Sequence, residues 1–459
     1  MNAIVVSAIW GVAMMFAGLL FRKQNTIQVV ALLGILVLFG ATLSDYHLLG
    51  DGIRSFFHML ELNSYNAWFN VLITGCAMMY FLFFYREISA VGKNDADYFA
   101  LIFFVLCGTY LLSTYSNLLI LFLGIEILSI PQYILAASDK ENIKSNEAGL
   151  KYFLMGSFST GILLMGITLL YGATGSFDMG SEHFMQVFQQ SGGMSTLAFS
   201  GVLLLLIAFG FKVSAAPVHF WTPDVYDGTP TAFTPFMATI AKVGVFVAFL
   251  RIFHLSFGNV SQEWQTALAA MIVLTLLIGN ITAVYQQSVK RMMAYSSIAQ
   301  AGFMLMSVFA FNAIAWQSII LYAVSYTLAS LGVFGALVKM KDYTFEGFNG
   351  LARKEPVLAI TTAICVMSLA GIPLTGGFFA KYFVLNAVVD QGKWLWLVVV
   401  AVLMAAVSVS YYFKLIRSMY FREGNPELTS SPDFGEKAIM IINALLVILA
   451  GILPSVFLQ

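Results

Sequence analysis

Charge is what this chain has least of. Only 10% of its 459 residues are Asp, Glu, Lys or Arg, whereas 60% are hydrophobic. The mean hydropathy of +0.86 lies far outside the range of soluble proteins and excludes a soluble globular domain. Because the formal net charge is zero, nothing in the composition points to a nucleic-acid partner or to a polybasic lipid-binding segment.

Cysteines and cofactor motifs are scarce as well. The three cysteines, Cys76, Cys107 and Cys365, each lie alone in a separate apolar run, which favours core packing over metal binding or a disulfide. The sequence has no Walker motif, no G-x-G-x-x-G loop and no Cys or His cluster for an iron–sulfur centre or a haem. We therefore expect no cofactor, no metal ion and no redox centre in this chain.

Long apolar runs are abundant. Since about 20 helical residues cross the hydrocarbon core, the runs predict fourteen membrane spans and an all-α, polytopic protein embedded in a lipid bilayer. No cleavable signal peptide is apparent, so we expect the first run to be a retained helix. The predicted spans start near Asn2, Thr26, Asn66, Tyr98, Asn117, Glu147, Thr196, Thr231, Trp264, Met292, Ala313, Pro356, Lys393 and Glu436.

Basic residues outside the spans are distributed asymmetrically. With the N-terminus outside, sixteen fall in cytoplasmic loops and only three, Arg54, Arg251 and Lys393, in outer loops. This distribution obeys the positive-inside rule and predicts a multi-pass protein whose N-terminus lies on the outer side of the membrane. The sixteen are Arg22, Lys23, Arg86, Lys93, Lys140, Lys144, Lys290, Arg291, Lys339, Lys341, Arg353, Lys354, Lys414, Arg417, Arg422 and Lys437.

Five charged residues remain inside the predicted spans: Glu126, Lys151, Lys212, Lys242 and Lys381. An ionised side chain at membrane depth costs about 2.5–3.5 kcal/mol on insertion scales, so a chain that keeps five is expected to use them. Protons or ions are the natural cargo. Lysine suits a proton relay because burial disfavours its charged form and so makes the proton exchangeable.

Each of these residues has a structural alternative. Glu126 lies near the bilayer middle and could switch with a partner lysine, or it could form a static ion pair between two helices. The lysines could instead extend to the interface, although this alternative is weak for Lys212, Lys242 and Lys381, which lie too far from it. For Lys151, close to the loop 139–146, interface anchoring is about as plausible as a relay.

Helix breakers interrupt two spans. Pro217 follows Lys212 in the seventh span, and Gly371, Pro373, Gly376 and Gly377 precede Lys381 in the twelfth. Interrupted spans in corresponding positions indicate an inverted-repeat transporter. We therefore predict two five-helix repeats, residues 98–259 and 260–422, between an N-terminal three-helix segment (1–97) and a C-terminal helix (423–459).

Polar segments near the breaks have two interpretations. His219 lies in PVHFWTPDVYDGTP, which is either a polar cytoplasmic entrance or a capped re-entry loop. Polar residues on the tenth and eleventh spans could line water paths or join helices by hydrogen bonds. These residues are Ser296, Ser297, Gln300, Ser325, Tyr326, Thr327 and Ser330.

Three segments carry a family resemblance: residues 211–246 (FKVSAAPVHFWTPDVYDGTPTAFTPFMATIAKVGVF), 289–303 (VKRMMAYSSIAQAGF) and 369–383 (LAGIPLTGGFFAKYF). Essentially the whole chain resembles the antiporter-like membrane subunits of respiratory complex I, the proton-pumping NADH:quinone oxidoreductase, and is most similar to the N type. The resemblance implies that Glu126 pairs with Lys212, that Lys242 is a central relay and that Lys381 lies near the exit. Lys151 matches a lysine associated with the same path.

The resemblance also implies a setting. We expect a proton-translocating subunit driven by redox chemistry elsewhere, with flavin, iron–sulfur clusters and quinone in partner subunits of the membrane and peripheral arms. Many members have a histidine where this chain has Gln300, which cannot titrate. The alternatives are a subunit of a cation/proton antiporter complex or membrane-bound hydrogenase, an autonomous solute transporter, and a scaffold.

Overall fold

The computed structural model describes residues 1–21, 23–50, 52–92, 94–189 and 194–457, and these are almost entirely helical. Arg22 and Lys93, two of the basic residues predicted for cytoplasmic loops, lie outside these ranges. Twelve of the described helical segments are long and apolar enough to cross a membrane. The expectation of an all-α, polytopic membrane protein is therefore confirmed.

The helices follow the predicted order along the chain. Each predicted span coincides with a helix that starts within a few residues of the expected position, and the seventh and twelfth spans are the interrupted ones. The helices are α1 (Asn2–Leu20), α2 (Gln24–Leu49), α3 (Ser64–Ala90), α4 (Asp95–Thr114), α5 (Leu118–Ala136), α6 (Ile143–Thr174), α7 (Glu182–Gln189), α8 (Thr196–Lys212), α9 (Trp221–Gly228), α10 (Thr234–Phe236), α11 (Lys242–Leu255), α12 (Ser261–Val284), α13 (Val289–Ala310), α14 (Ala313–Leu337), α15 (Leu351–Lys354), α16 (Pro356–Ala370), α17 (Gly376–Asp390), α18 (Leu395–Phe421) and α19 (Phe434–Ile452).

The first interruption separates α8 from α9. The chain leaves the helix after Lys212, and Ser214 adopts a φ of 65°. Backbone groups freed by the break are not left unpaired: the N–H of Ala216 donates to Thr275 Oγ1 at 2.9 Å, and Trp221 Nε1 donates to the Phe211 carbonyl at 3.1 Å. Irregular backbone at membrane depth requires such internal partners.

The second interruption separates α16 from α17. Gly371 ends α16 with a φ of 85°, in the left-handed region that favours glycine. At Gly377 an added Cβ would lie 1.8 Å from the Ser368 carbonyl oxygen, so only glycine allows α17 to pack this closely on the end of α16.

The interior of the bundle is formed by α11, α13 and α14, whose spans are almost completely buried, whereas α1, α2, α6, α18 and α19 expose apolar side chains around the outside. An apolar exterior is what a bilayer requires, because lipid tails solvate such side chains. Helix α11 contacts α4, α8, α13 and α14. This arrangement places the residues near the start of α11 in the middle of the bundle.

A short antiparallel hairpin, β1 (Arg54–Phe56) and β2 (Leu60–Leu62), covers one end of the bundle. Neither strand is evident in the sequence, because each is only three residues long. The hairpin is held by a bridge from Leu60 to Tyr115, at the end of α4. We call this end the hairpin face, and the end that carries the Lys140 and Lys339 loops the opposite face.

Candidate functional site

Glu126 lies on α5 and turns towards α6. Its Oε1 accepts a hydrogen bond from Thr160 Oγ1 at 2.8 Å, and the side chain is partly buried. No cation lies within 4.0 Å of this carboxylate among the residues that the structure describes. The static ion pair that the sequence left open is therefore not formed.

Lys212, the last residue of α8, lies against the same helix. Its Nζ donates to Ser129 Oγ at 2.9 Å and to Tyr133 Oη at 3.2 Å, and lies 5.7 Å from the centroid of the Tyr133 ring. Residues three, four and seven apart share one face of a helix, so Glu126, Ser129 and Tyr133 form one polar stripe on α5. Lys212 thus binds the stripe one and two turns away from Glu126, and no direct pair joins the two charges.

Lys242 is buried where an irregular turn enters α11. The segment Met237–Ala241 is a π-helical turn, a feature that widens the backbone and often marks functional sites. Lys242 Nζ donates to Ser297 Oγ at 2.5 Å and lies 5.5 Å from the centroid of the Tyr226 ring. Its charge is therefore solvated by a hydroxyl and an aromatic face, with no carboxylate bound to it in the described part of the chain.

Lys381 follows the second interruption and folds back onto it. Its Nζ donates to the carbonyls of Leu369 and Ala370, both at 3.0 Å, and lies 5.0 Å from the centroid of the Phe303 ring. These carbonyls belong to the last turn of α16, where unpaired C=O groups and the helix dipole favour a cation. The lysine is 7% exposed.

Gln300 connects Lys381 to the tyrosines around it. Its Nε2 donates to the Leu369 carbonyl and to Tyr412 Oη, both at 3.0 Å, and its Oε1 accepts a hydrogen bond from Tyr322. Tyr412 also bonds to Ser296. A cavity of about 10 Å³, room for about one water, lies beside this network. It is lined in part by Gln300, Tyr322, Ser325, Tyr326, Ser368 and Lys381.

Two polar clusters therefore lie next to each other between Lys242 and Lys381. Ser297, which binds Lys242, follows Ser296, which binds the Tyr412 and Gln300 network. Between Lys212 and Lys242, in contrast, the side chains are mostly aromatic or apolar. They include Phe211, Trp221, Val225, Tyr226, Met237 and Ala238.

The structure separates Lys151 from the other four residues. Its Nζ lies 2.7 Å from Glu147 and 2.8 Å from Asp224, and its side chain is 36% exposed. Asp224 also pairs with Arg291 at 3.1 Å, so the cluster joins α6, α9 and α13 at the opposite face. This geometry favours the interface alternative for Lys151.

Several buried charges were assigned to loops or span ends by the sequence. Arg251 lies inside α11 and is only 2% exposed, so its assignment to an outer loop is wrong. Lys290 is buried at the start of α13 and donates to the Thr229 carbonyl at 2.7 Å. Lys339 is buried between Glu87 and Glu436, each 2.7 Å away. Hydropathy places these residues near the interface, but only the fold shows that loops and helix ends enclose them.

Three polar partners are functional candidates that the sequence did not single out: Thr160, Ser129 and Tyr133. On α5, the spacing of Ser129 and Tyr133 from Glu126 could have identified the stripe. No sequence pattern identifies Thr160, because it lies on α6 and contacts Glu126 of α5 only in the folded protein. Within the described residues, no group of three or more His, Cys, Asp or Glu side chains could hold a metal ion.

Relatives of known family align with this chain over its whole length. The chain is 39% identical to NADH-quinone oxidoreductase subunit N of Cytophaga hutchinsonii, over 100% of this chain and 99% of that protein. It is 35% identical to the subunit N of Flavobacterium psychrophilum, over the whole of both chains.

Solved structures share the fold. A chain of respiratory complex I from Thermus thermophilus with bound aureothin superposes with a TM-score of 0.83 and 29% identity, over 99% of this chain and 98% of that one. A chain of an archaeal membrane-bound sulfane sulfur reductase gives 0.88 at 23% identity, over 99% and 94%, which shows the fold alone.

The family model described as "NADH:quinone oxidoreductase/Mrp antiporter, TM" matches residues 116–408, a range that includes all five candidate residues. Together with relatives aligned from end to end, this match shows that the chain belongs to the NADH:quinone oxidoreductase/Mrp antiporter family of membrane proteins.

Proposed function

We propose that this chain is the N-type proton-translocating membrane subunit of a bacterial NADH:quinone oxidoreductase. The observation that carries the proposal is the bonding of its buried lysines. Lys212, Lys242 and Lys381 each donate to neutral hydroxyl or carbonyl oxygens, and none has a carboxylate within 4.0 Å among the described residues. A lysine in such a site can release and regain a proton, which a tightly paired lysine cannot do as easily.

The contacts support a route of transfer from Lys242 to Lys381. Lys242 passes a proton through Ser297 and the adjoining hydroxyl network towards Gln300 and Lys381. Because Gln300 does not titrate, a water in the cavity beside it carries the proton over that step. Lys381 is then the terminal donor.

Glu126 and Lys212 form the switch at the other end of the path. In the described conformation Glu126 bonds to Thr160 of α6 and Lys212 to the next turns of α5, so a small shift of either side chain changes their electrostatic coupling. When Lys212 approaches Glu126 it holds its proton more tightly, and when it withdraws towards Ser129 and Tyr133 the proton is more easily lost. The aromatic residues between Lys212 and Lys242 separate the switch from the relay.

The proposal extends to setting and partners. The N-terminus and the hairpin face lie on the periplasmic side of the inner membrane, and the opposite face on the cytoplasmic side. Redox energy comes from flavin, iron–sulfur clusters and quinone in the other membrane-arm and peripheral-arm subunits. Residues 98–259 and 260–422 form two inverted five-helix repeats, between segments 1–97 and 423–459; the two interruptions, each in the fourth span of its repeat, support this division.

A cation/proton antiporter subunit is the competing function, because the family description and the fold both include such proteins. Relatives named subunit N match this chain from end to end at 34–39% identity, whereas the chain of an Mrp complex from Dietzia is 19% identical. Purification of the membrane complex and mass spectrometry separates the two. Flavin- and iron–sulfur-bearing subunits support the oxidoreductase, and their absence from the purified complex contradicts it.

The test of the relay uses the assembled complex in membrane vesicles. Lys242→Met and Glu126→Gln should both lower NADH-driven proton uptake and the coupled quinone reductase activity while the complex still assembles. Lys354→Met is the control, because this exposed lysine binds Asn425 in a loop of the opposite face. Normal proton uptake by an assembled Glu126→Gln complex would overturn the switch.

A further inference from the structure

A string of buried polar groups runs between α3 and α4 towards the hairpin face. Tyr110 Oη and Thr74 Oγ1 are 2.7 Å apart, and Thr74 also donates to the Asn70 carbonyl at 2.5 Å. Ser113 Oγ donates to Asn70 Oδ1 at 2.8 Å. Hydroxyl groups in such a row are able to pass protons, with water carrying the step past the Asn70 amide, and the relay proposed above does not use this row.

The string begins next to the relay. Thr109, the residue before Tyr110, packs so closely on Gly244 that an added Cβ there would lie 2.7 Å from Thr109 Cγ2. Gly244 is two residues from Lys242 on α11. The other residues of α11 between Lys242 and Arg251 are apolar, so the polar groups of α3 and α4 offer the nearest alternative route from the centre to the hairpin face.

Arg251 lies at the end of this route. Its guanidinium donates through Nη2 to the Tyr115 carbonyl at 2.9 Å and lies 5.6 Å from the centroid of the Tyr115 ring. Tyr115 follows the end of α4 and anchors back to α11 through its hydroxyl, which donates to the Ala248 carbonyl at 2.7 Å. Arg251 Nε has no hydrogen-bond partner in the described ranges, although the residue is only 2% exposed.

Beyond Arg251 the molecule opens to the hairpin face. A cavity of about 270 Å³ is lined by Arg251 and by polar groups of the hairpin, the α4–α5 connection and the α6–α7 connection, including His58, Glu61, Ser116 and Asp178. The guanidinium thus lies between this cavity and the buried string. In the described structure no carboxylate lies within 4.0 Å of it, and Glu61 lines the same cavity at a longer distance.

We propose that Arg251 is an electrostatic barrier that prevents protons from crossing between the relay and the hairpin face along the α3–α4 string. Arginine keeps its proton at every physiological pH, so it cannot itself become a step of the path. A fixed positive charge of low exposure repels an excess proton beside it, as arginines do in pores that exclude protons. Protons that reach Lys242 are thereby directed to Lys381, and back-flow is blocked while the enzyme rests.

The test measures leak in the absence of turnover. Vesicles that contain the assembled complex are given an imposed pH gradient without NADH, and the decay of the gradient is followed with a pH-sensitive dye. Arg251→Gln should increase the resting proton conductance on the order of tenfold, because it removes the repelling charge. Arg251→Lys should give an intermediate conductance, because a buried lysine carries the charge but can lose its proton. Arg54→Gln, a matched change at an exposed arginine of the same face, should remain as tight as wild type.

A second change tests the route. Adding Thr74→Val to Arg251→Gln breaks the hydroxyl contact with Tyr110 and should return the resting proton conductance most of the way to the wild-type level. An assembled Arg251→Gln complex with wild-type resting conductance overturns the barrier, and a leak that Thr74→Val does not reduce overturns the route. Should Arg251→Gln fail to assemble, Arg251→Met fills the same volume without charge and provides the same comparison.

The inference rests on the proposed function, but different experimental results contradict the barrier and the proposed function. A wild-type complex that shows no NADH-driven proton uptake contradicts the proposed function. A pumping wild type with an equally tight Arg251→Gln variant contradicts only the barrier. A merely structural role for Arg251 would lower the thermal stability of the variant without raising its resting conductance.

Discussion

Gln300 and Lys381 donate to the same carbonyl oxygen, that of Leu369, each at 3.0 Å. The carbonyl lies in the last turn of α16, where it has no partner within the helix. An amide that cannot titrate thus stands next to an ammonium group that can. The glutamine fixes the tyrosine network around the lysine and requires no protonation of its own.

Gln300→Leu should therefore lower the number of protons taken up per quinone reduced, while the complex still assembles. The change leaves Tyr322 and Tyr412 without this partner, and each buried polar group left unpaired costs about 1–3 kcal/mol. Gln300→His keeps polar ring nitrogens in the site and should retain most proton uptake. The measurement is the ratio of NADH-driven proton uptake to quinone reduction in vesicles.

Gln265 provides the control for that comparison. It is also a buried glutamine, and its Nε2 donates to the Phe309 carbonyl at 3.1 Å, away from the relay. Gln265→Leu should lower thermal stability by a similar amount and leave the ratio unchanged. Equal ratios for Gln300→Leu and wild type would show that the Gln300 network does not take part in transfer.

Thr160 is expected to tune the switch. Thr160→Val removes the hydroxyl that donates to Glu126 at 2.8 Å with little change in shape, so the carboxylate loses its described partner. Hydrogen bonds to a charged group contribute about 1.5–3 kcal/mol, enough to change how Glu126 responds to Lys212. Proton uptake should fall, though less than in Glu126→Gln, and Thr160→Ser should restore it.

Thr168→Val is the matched change on the same helix. Thr168 is exposed and its hydroxyl binds only the Leu164 carbonyl of its own helix among the described contacts. Uptake should stay at the wild-type level. If Thr168→Val reduces uptake as much as Thr160→Val, the effect belongs to α6 as a whole and the assignment to Glu126 fails.

Lys212 and Lys151 show where prediction from the sequence ends. The apolar run and Pro217 predict the membrane span that holds Lys212, the depth of this lysine and the break after it, because these features depend on local composition. It could not give Ser129 and Tyr133 as the partners of Lys212, since side-chain direction between two helices depends on how they cross. Lys151 lies within a helix of 32 residues, longer than one crossing, so its turn projects beyond the apolar layer and meets Asp224.

Arg251 and Lys339 illustrate the converse error. Both lie close to the ends of apolar runs, and a rule based on the distance from a run's end assigns them to loops. In the fold, the hairpin face covers Arg251, and two helices that are distant in the sequence bring Glu87 and Glu436 to Lys339. Burial of a terminal charge is a tertiary property that no local pattern contains.

Lys339 should fasten α19 to α3 and α14 in a pH-dependent way. Burial alone lowers the pKa of this lysine, but hydrogen bonds to Glu436 and Glu87 outweigh it and raise the pKa above the usual 10.5. Because the pKa of Lys339 is higher in the folded state than in the unfolded chain, its protonation stabilises the fold fully below pH 10.5. This stabilisation is lost as the pH rises through the raised pKa. Lys339→Met leaves two partly buried carboxylates without this partner, while Arg86 stays 3.6 Å from Glu436, and should cost roughly 1–3 kcal/mol of folding free energy.

The check is the apparent melting temperature of the complex at pH 8 to about 11, a range that spans the ordinary lysine pKa. The melting temperature of wild type should exceed that of Lys339→Met at the lower end of this range, and the difference should shrink as the pH approaches the upper end. Lys341→Met, at an exposed lysine 3.6 Å from Glu427, should match wild type throughout. A difference that is independent of pH would mean that Lys339 acts by packing alone.

Gly377 is the position at which the second interruption is most sensitive. An added Cβ would lie 1.8 Å from the Ser368 carbonyl oxygen, and backbone cannot yield as a flexible side chain does. Gly377→Ala should therefore push the start of α17 away from α16 and carry Lys381 away from the Leu369 and Ala370 carbonyls. The free energy of unfolding should fall by more than about 4 kcal/mol, a loss typical of severe steric conflicts.

Gly161→Ala on α6 separates the steric effect from that of helix propensity. No heavy atom lies within 4 Å of the added Cβ at this exposed glycine, and alanine favours a helix by about 1 kcal/mol. Gly161→Ala should leave assembly and proton uptake intact or slightly improve stability, whereas Gly377→Ala should fail to assemble or assemble without uptake. A fully active Gly377→Ala complex would show that α17 can shift without disturbing Lys381, and the close contact with Ser368 would then have no part in positioning the terminal donor.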